Sequence, residues 1–299
     1  MKLKELLNLI KPNHVTINCD VHDVELMAIT DPLFNLNSFG WCSDKNFNLL
    51  HSISSGSIIL SEKGNDYCKS NGLNSFNLII VDKPRSSFNQ ILNKFYVIAD
   101  TFPFISPSAN ISKSVKFNDE KVNIGHNTVI EDNVELGDKV VIGANTVVKS
   151  GTIIKKNVII GSNCTIGGVG FGYEKNEEGN YEFIPHIGNV IIDDNVEIGN
   201  NVCVDRAVLG STRISSNVKI DNLVHVAHGV SIGRNSLIIA NAMIAGSTHI
   251  GENVWVAPSS SVKQKLIIAD NSIIGMGGVV IKNVGENDVV AGVPAKKIN

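Results

Sequence analysis

Two residues of the chain have the types and the spacing of a general base and an oxyanion donor. His228 lies two positions after Val226, a member of an aliphatic row that recurs every six residues, so its ring is expected to lie outside the core. Counting 18 residues onward reaches Gly246. An imidazole can take a proton from a nucleophile, and the N–H of a glycine can stabilise an oxyanion, which together is the chemistry of acyl transfer. A solvated histidine and a glycine in a tight corner are the alternative interpretations.

A six-residue repeat predicts the element that positions these two residues. Aliphatic residues recur at every sixth position from Ile124 to Ile166, and again from Ile214 to Val280. This period fits neither an α-helix nor a simple alternating strand, but it is typical of a parallel β-helix with short flat faces. Three hexads close one triangular coil, so residues 18 apart should lie on the same side of adjacent coils. Asparagine, aspartate and glycine are expected to fill the turns.

The repeat also divides the chain. Residues 1–100 lack it and predict a small α/β domain, with buried strands in GSIILSEK and FNLIIVDKP and a helix in SSFNQILNKFY. Residues 101–285 form the predicted β-helix and 286–299 a C-terminal tail, with the boundary in TFPFISPSAN. Residues 167–190 and 205–213 leave the period and are expected to be loops. Such loops often form binding surfaces, and tolerated surface insertions are the alternative.

Composition and charge exclude several classes of protein. The net charge of −3 and the absence of a Lys/Arg run argue against nucleic acid as the main partner. No apolar stretch approaches the length of a transmembrane helix, and the start MKLKELLNLIKPN predicts an amphipathic helix rather than a signal sequence. Five scattered cysteines without a C-x-x-C pair fit free thiols in a reducing compartment. We therefore expect a cytoplasmic protein.

Five segments, in order, resemble the UDP-3-O-acylglucosamine N-acyltransferase family of lipid A synthesis (LpxD) over nearly the whole chain. These segments are GFGY…EGNY…IPHIGNVII, VEIGNNVCVDRAVLGST, IDNLVHVAHGVSIG, MIAGSTHIG and GMGGVV. The resemblance implies a mainly β fold, with a left-handed parallel β-helix of hexapeptide repeats following a nucleotide-binding α/β domain. It also implies a homotrimer with sites between chains, and a nucleotide-linked amino sugar as the acyl acceptor.

The resemblance assigns roles to residues of one stretch. The histidine of the family's AH pair is the general base and the glycine of AGS supplies the oxyanion N–H, and these positions match His228 and Gly246. Asp221 and Asn222 match the family's IDN segment and are implied to orient the substrate or to shape the site. Without the resemblance they would be ordinary turn residues. His225 is expected to contact the acyl donor or the substrate, or to lie at a subunit boundary.

Other positions are weaker candidates. Trp41 and Phe47 match aromatic positions that resemble the family's uracil-stacking pair, and packing in the core of the small domain is the alternative. Lys265 stands where the family commonly has a second histidine, and it is a candidate to meet the phosphates of the nucleotide. Met243 and Met276 are candidates to line an acyl groove, although methionine often just fills gaps in packing.

The acyl donor stays open between acyl carrier protein and coenzyme A. The ending NVGENDVVAGVPAKKIN lacks the helices with which the family helps to receive acyl carrier protein, and its AGVPAK resembles the tail of coenzyme-A-dependent hexapeptide acyltransferases. Lys296 could meet coenzyme A phosphates, or it belongs to a solvated tail.

The sequence therefore predicts an N-acyltransferase that moves a (3-hydroxy)acyl group from a thioester carrier to a nucleotide-linked amino sugar. Direct transfer requires no metal and no covalently bound cofactor. Two alternatives remain. The first is a short-chain acyl-CoA-dependent N-acyltransferase acting on a dTDP- or UDP-amino sugar of an O-antigen, and the second is a non-catalytic hexapeptide scaffold.

Overall fold

The structure, a computed structural model, describes residues 1–97 and 102–298. Residues 98–101, which include the start of the expected boundary segment, and residue 299 lie outside this description. Contacts within the chain separate two units, Met1–Asp100 and Thr101–Asn299. Each unit has its own buried apolar core.

The first unit is built on one sheet with helices that bury their apolar faces. Its elements are α1 Leu3–Ile10, β1 His14–Thr16, β2 Glu25–Leu26, β3 Ser38–Trp41, a 3-10 helix Asp44–Ser52, β4 Ser57–Leu60, α2 Glu62–Ser70, β5 Asn77–Ile80 and α3 Pro84–Phe95. The sheet order is β1-β5-β4-β3-β2, and only the β1–β5 pair is antiparallel. Helix α1 buries Leu3, Leu6 and Ile10, which confirms the predicted amphipathic helix. The strands predicted in GSIILSEK and FNLIIVDKP are confirmed as β4 and β5, and the helix predicted in SSFNQILNKFY is confirmed as α3.

The second unit is the expected left-handed parallel β-helix, whose short strands stack into three faces. The first face contains β6 Phe104–Ile105, β8 Asn123–Ile124, β11 Val141–Ile142, β14 Ile159–Ile160, β19 Glu197–Ile198, β22 Lys219–Ile220, β25 Leu237–Ile238, β28 Trp255–Val256, β31 Ile273–Ile274, β33 Val289–Ala291 and the antiparallel β34 Lys296–Lys297. The second face contains β7 Asn110–Ile111, β9 Val129–Ile130, β12 Val147–Val148, β15 Thr165–Gly168, β20 Cys203–Asp205, β23 His225–Val226, β26 Met243–Ile244, β29 Ser261–Val262 and β32 Val279–Val280. The third face contains β10 Glu135–Leu136, β13 Ile153–Ile154, β18 Asn189–Ile192, β21 Ser211–Ile214, β24 Ser231–Ile232, β27 His249–Ile250 and β30 Ile267–Ile268.

The inward aliphatic row holds the coils in register. Val226 pairs with Ile244, and Ile232 pairs with Ile250, so partners in neighbouring coils are 18 positions apart as the repeat predicts. These four side chains are fully or almost fully buried. Because each inward side chain packs on the one a coil away, the core continues along the whole solenoid and the register is strongly specified.

The corners use asparagine to adopt a left-handed backbone. Many corner residues have a φ between 55° and 62°, and most of them are asparagine, whose short polar side chain tolerates this conformation. At several corners the asparagine amides also form coil-to-coil hydrogen bonds, as between Asn217 and Asn235 at 2.7 Å. The expectation that asparagine fills the turns is confirmed.

Two insertions leave the β-helix at one corner, between the second and third faces, which we call the loop corner. The first loop runs from β15 to β18 and contains a hairpin of β16 Tyr173–Lys175 and β17 Tyr181–Phe183. The second loop joins β20 to β21 and is shorter than expected, because Asp205 extends one strand and the other already begins at Ser211. In the part of the chain that the structure describes, no helix is both long and apolar enough to cross a bilayer.

The corner conformation generates a stability prediction at Asn163, which is exposed and has a φ of 60°. Asn163→Ala should lower the free energy of unfolding by about 1 kcal/mol, because a residue with a Cβ and no polar group is disfavoured there. Asn163→Gly should be more stable than the alanine variant, which reverses the usual order set by the entropy of the unfolded chain. Thermal unfolding of the three proteins measures this, and an alanine variant as stable as the glycine variant would contradict it.

Candidate active site

His228 and Gly246 lie at the loop corner on consecutive coils, between β23 and β24 and between β26 and β27. The N–H of Ser247 donates a hydrogen bond of 2.9 Å to the carbonyl oxygen of His228, so one turn is seated directly on the other. A Cβ built on Gly246 would lie 2.6 Å from Nε2 and 2.7 Å from Cε1 of His228. The imidazole ring therefore occupies the space that a side chain at position 246 would fill.

This contact explains why position 246 is a glycine, and the explanation differs from the one that the sequence suggests. The sequence suggests that glycine lets a substrate approach the backbone, whereas the ring of His228 fills that space in the structure. The carbonyl oxygen of Gly246 accepts a hydrogen bond of 3.0 Å from the N–H of Lys265. Its own N–H donates to no group within residues 1–97 and 102–298.

A second imidazole, which the sequence reasoning did not single out, contacts His228 from the first loop. His186 is 6% exposed, and its ring meets that of His228 edge to face, with centroids 5.2 Å apart and an interplanar angle of 83°. Its Nδ1 donates a hydrogen bond of 2.7 Å to the carbonyl oxygen of Ile184, since a carbonyl can only accept. The signal available in the sequence was a histidine in IPHIG, within a segment that had left the repeat.

Partial burial lowers the proton affinity of the His228 imidazole. Desolvation lowers the pKa of the His228 imidazole, and the neighbouring His186 lowers that pKa further. Asp205, at the end of β20, places Oδ2 3.5 Å from Nε2 of His225. Desolvation raises the pKa of the Asp205 carboxyl, while His225 and His186 oppose that rise. The loop corner therefore favours the neutral form of His228, which is the form that accepts a proton.

Asp221 and Asn222 lie at the corner between the first and second faces, where they connect coils. Asp221 accepts hydrogen bonds from the N–H of Asn222 at 2.7 Å and from the N–H of Ala240 at 3.2 Å. Asn222 accepts one of 2.7 Å from the N–H of Asn200. Among the described residues neither side chain bonds to His228, so their role toward a substrate stays a prediction.

The remaining candidates of the β-helix fall into two groups. His225 and Met243 are register partners on the second face, and both side chains point outward and are partly exposed. Lys265 is exposed at the loop corner, one coil beyond the glycine. Met276 is exposed at the corner between the first and second faces, and Lys296 is exposed in β34. The structure thus places His225, Met243 and Lys265 on the coils around the catalytic candidates. Met276 and Lys296 lie on other parts of the β-helix.

The two aromatic candidates of the first unit do not share one cavity within the described residues. Trp41 lines a cavity of about 930 Å³ together with Lys83 and Arg85. Phe47 is not among its lining residues, and its ring packs on that of Tyr67 at a centroid distance of 5.2 Å. The packing of Phe47 agrees with the alternative interpretation, in which it belongs to the core of the small domain.

Comparison with known sequences shows close relatives. The bacterial transferase hexapeptide family model (six repeats) matches residues 133–168 and 211–246. A UDP-3-O-acylglucosamine N-acyltransferase of Campylobacter lari is 40% identical over 291 residues, which cover 91% of this chain and 88% of that protein. One of Wolinella succinogenes is 42% identical over 129 residues, which cover 43% of this chain. That alignment spans only 41% of the Wolinella protein, and so this chain matches about two fifths of its length.

Solved structures with the same fold include a UDP-N-acetylglucosamine acyltransferase of Francisella novicida. It has a TM-score of 0.59 and 23% identity, and the match covers 64% of this chain and 68% of that chain. The LpxA of Acinetobacter baumannii has a TM-score of 0.53 and 25% identity, with coverage of 65% and 71%. These matches support the β-helix of the second unit.

The burial of His228 generates a prediction about its titration. Its imidazole should titrate below the ordinary range of histidine, because burial disfavours the charged form. Since the folded state then binds fewer protons than the unfolded chain, the free energy of unfolding should fall as the pH drops through the ordinary histidine pKa. The Cε1–H resonance, assigned by its loss in His228→Gln, measures the pKa, and the same variant should lose that part of the stability change. An apparent pKa at or above that of free histidine would contradict the burial.

Proposed function

We propose, from the premise that this chain belongs to the family of the UDP-3-O-acylglucosamine N-acyltransferases, that it transfers an acyl group from a thioester to the amine of a nucleotide-linked amino sugar. The observation that carries the proposal is the ring of His228 seated on the backbone of Gly246. A neutral imidazole and a free peptide N–H then face the same reacting group. This is the pair of functions that acyl transfer to an amine requires.

The proposed reaction is direct. The sugar amine attacks the thioester carbonyl and forms the C–N bond, while the neutral imidazole of His228 accepts a proton from the amine. The N–H of Gly246 stabilises the negative charge that develops on the carbonyl oxygen. As the oxyanion collapses, the C–S bond breaks and the imidazolium returns its proton to the leaving thiolate. Protons and electrons balance without any further reactant.

The nearby thiol supports direct transfer rather than an acyl-enzyme. Cys203 lies on the second face beside His225. Desolvation, together with the Asp205 carboxylate, raises the pKa of the Cys203 thiol above its ordinary value. A thiol with a raised pKa is a poor nucleophile at neutral pH. We therefore assign no covalent role to Cys203.

We further propose that the first unit binds the nucleotide of the acceptor. In its cavity, Trp41 offers a flat apolar face for a base, and Lys83 and Arg85 offer cations for phosphates. The donor is acyl carrier protein or coenzyme A, which present the same kind of thioester. We also propose that the protein acts in the cytoplasm as a homotrimer with its active sites between chains. The partly exposed Trp255 on the first face is a candidate for contact between subunits.

A donor assay tests the reaction itself. The protein is mixed with UDP-3-O-acylglucosamine and either 3-hydroxyacyl carrier protein or the matching acyl-CoA, and amide product and free thiol are measured together. Amide formation with either donor supports the proposal and identifies the carrier. Transfer of a short acyl group from acyl-CoA to a dTDP-amino sugar alone would favour the O-antigen alternative. Nucleotide binding without thiol release would favour a scaffold and contradict acyl transfer.

The assignment of the general base predicts the effect of His228→Ala. Turnover should fall by roughly 10²–10⁴-fold, because the attacking amine loses its proton acceptor. The fold should persist, since His228 lies at a corner and the inward row is untouched. His126→Ala, which removes a corner histidine several coils away, is the matched control and should keep wild-type turnover. Steady-state kinetics with circular dichroism measures both effects, and wild-type turnover in His228→Ala would remove the assignment.

The packing at Gly246 predicts a separate effect. In Gly246→Ala the new methyl group would lie 2.6 Å from Nε2 of His228, so the ring must move. A displacement of about 1 Å costs on the order of 10²-fold in rate, and turnover should fall by that amount while the protein stays folded. Ser247→Ala, at the next position of the same turn, adds no new atom and is the control. A Gly246→Ala variant with normal kinetics would show that the ring position does not matter.

A further inference from the structure

The ring of His186 is fixed on more than one side before it reaches His228. Its Nδ1 donates to the carbonyl oxygen of Ile184 at 2.7 Å. Its flat face stacks on Phe183 of the hairpin, with centroids 5.7 Å apart and planes 18° apart. The contact with His228 is then edge to face. A ring held by a hydrogen bond and a stacked neighbour has a defined orientation, and it can impose that orientation on the next ring.

The backbone of the first loop packs against both imidazoles. A Cβ at Gly170 would lie 2.8 Å from Nε2 of His186 and 2.9 Å from Cβ of His228, and one at Gly172 would lie 2.9 Å from Cε1 of His186. Only a glycine at position 170 lets the chain pass this close to both histidines. The GFG segment therefore closes one side of the pair.

The loop that carries His186 is tied to the β-helix. The guanidinium of Arg206 donates to the carbonyl oxygens of Gly167 at 2.8 Å and Ser150 at 3.0 Å. The N–H of Ile187, the next residue after His186, donates 3.0 Å to the carbonyl oxygen of Val208 in the second loop. The first loop is thus bonded near both ends to the second loop, and Arg206 of the second loop is bonded in turn to the coil that contains Ser150.

Packing alone is a poor explanation for a histidine at this position. Nε2 of His186 is buried and has no hydrogen-bond partner among the described residues. A buried polar atom without a partner lowers stability, and an apolar side chain of similar size would avoid that cost. The buried Nε2 without a partner therefore points to a role for His186 beyond packing.

We propose that His186 is a positioning residue for His228, which holds the imidazole in place over Gly246 and shields one side of it from water. The consequence for catalysis rests on the proposed function, whereas the contact between the two rings does not. His186 is only 6% exposed, so we expect it to act on His228 without touching the substrate.

The proposal can be tested through the pH dependence of activity, because several titratable groups surround His228. His186 faces it from the first loop, the Asp205–His225 pair belongs to the adjoining strands β20 and β23, and the exposed Lys265 follows one coil beyond the glycine. Removing His186 should open the ring of His228 to water and remove a neighbour that opposes its protonation. The acid limb of the activity profile should then move to higher pH.

Two variants at position 186 separate positioning from loop folding. His186→Ala removes the ring and the hydrogen bond to Ile184, whereas His186→Asn retains a donor for that carbonyl and loses the ring with its contacts to Phe183 and His228. Both should lower kcat by about ten- to a hundredfold with little change in KM, and both should raise the pKa of His228. In a His228→Ala background, His186→Ala should cause no further loss.

A third variant and a control complete the experiment. Gly170→Ala should push the rings apart and reproduce the shift of the acid limb with His186 still present. His126→Ala is the control, since His126 also bonds through Nδ1, to Ser106 at 2.7 Å, and meets Phe104 edge to face, yet lies far from His228 in the coil order.

The readout of the His228 titration by NMR requires no substrate. If the wild-type protein fails to transfer acyl groups, the proposed function is wrong, and the titration still decides whether His186 acts on His228. Normal kcat together with an unchanged His228 titration in both position-186 variants would overturn the proposal. Full activity in His186→Asn with a loss in His186→Ala would show a purely structural role for the loop, and this result would overturn it as well.

Discussion

The β-helix depends on one constraint, the stacking of each inward aliphatic side chain on its partner in the next coil, which lies 18 residues later wherever no loop intervenes. This stacking sets the separation of equivalent residues on adjacent coils at about one strand spacing, ~4.8 Å. At the loop corner, that separation brings an imidazole and a peptide backbone into contact. The register of the core therefore brings positions 228 and 246 onto neighbouring coils, and the first loop then packs against the ring of His228.

The same constraint decides where the chain can insert loops. Both insertions begin and end at one corner, and the strands on either side keep their pairing, as between β15 and β20 and between β18 and β21. The cost of closing a loop grows only slowly with its length, so an excursion that leaves the ladder intact is tolerated. The first loop can therefore add a buried histidine that no position of the repeat supplies.

Within the β-helix, residues that obey the period could be predicted from the sequence, whereas the contacts of the inserted loops could not. The count of 18 placed His228 and Gly246 on consecutive coils, and the asparagine turns followed from their backbone preference. His186 was missed because a loop residue has no phase, and its contact depends on how the chain folds back. The reason for the glycine was also missed, since a one-dimensional count cannot show that a side chain from the previous coil fills the vacant volume.

The β-helix corner at Gly246 and the first loop both affect the protonation of His228. The packing of the His228 ring on Gly246 and its contact with His186 of the first loop both limit the access of water to the ring. Desolvation is the main cause of the lowered pKa of His228. A lower pKa weakens the imidazole as a base but keeps it unprotonated at neutral pH, and general base catalysis is most efficient when these two effects balance. The repeat provides the position of the His228 imidazole and the first loop contributes to its proton affinity, so a change in loop sequence can alter that affinity while the coil beneath it stays the same.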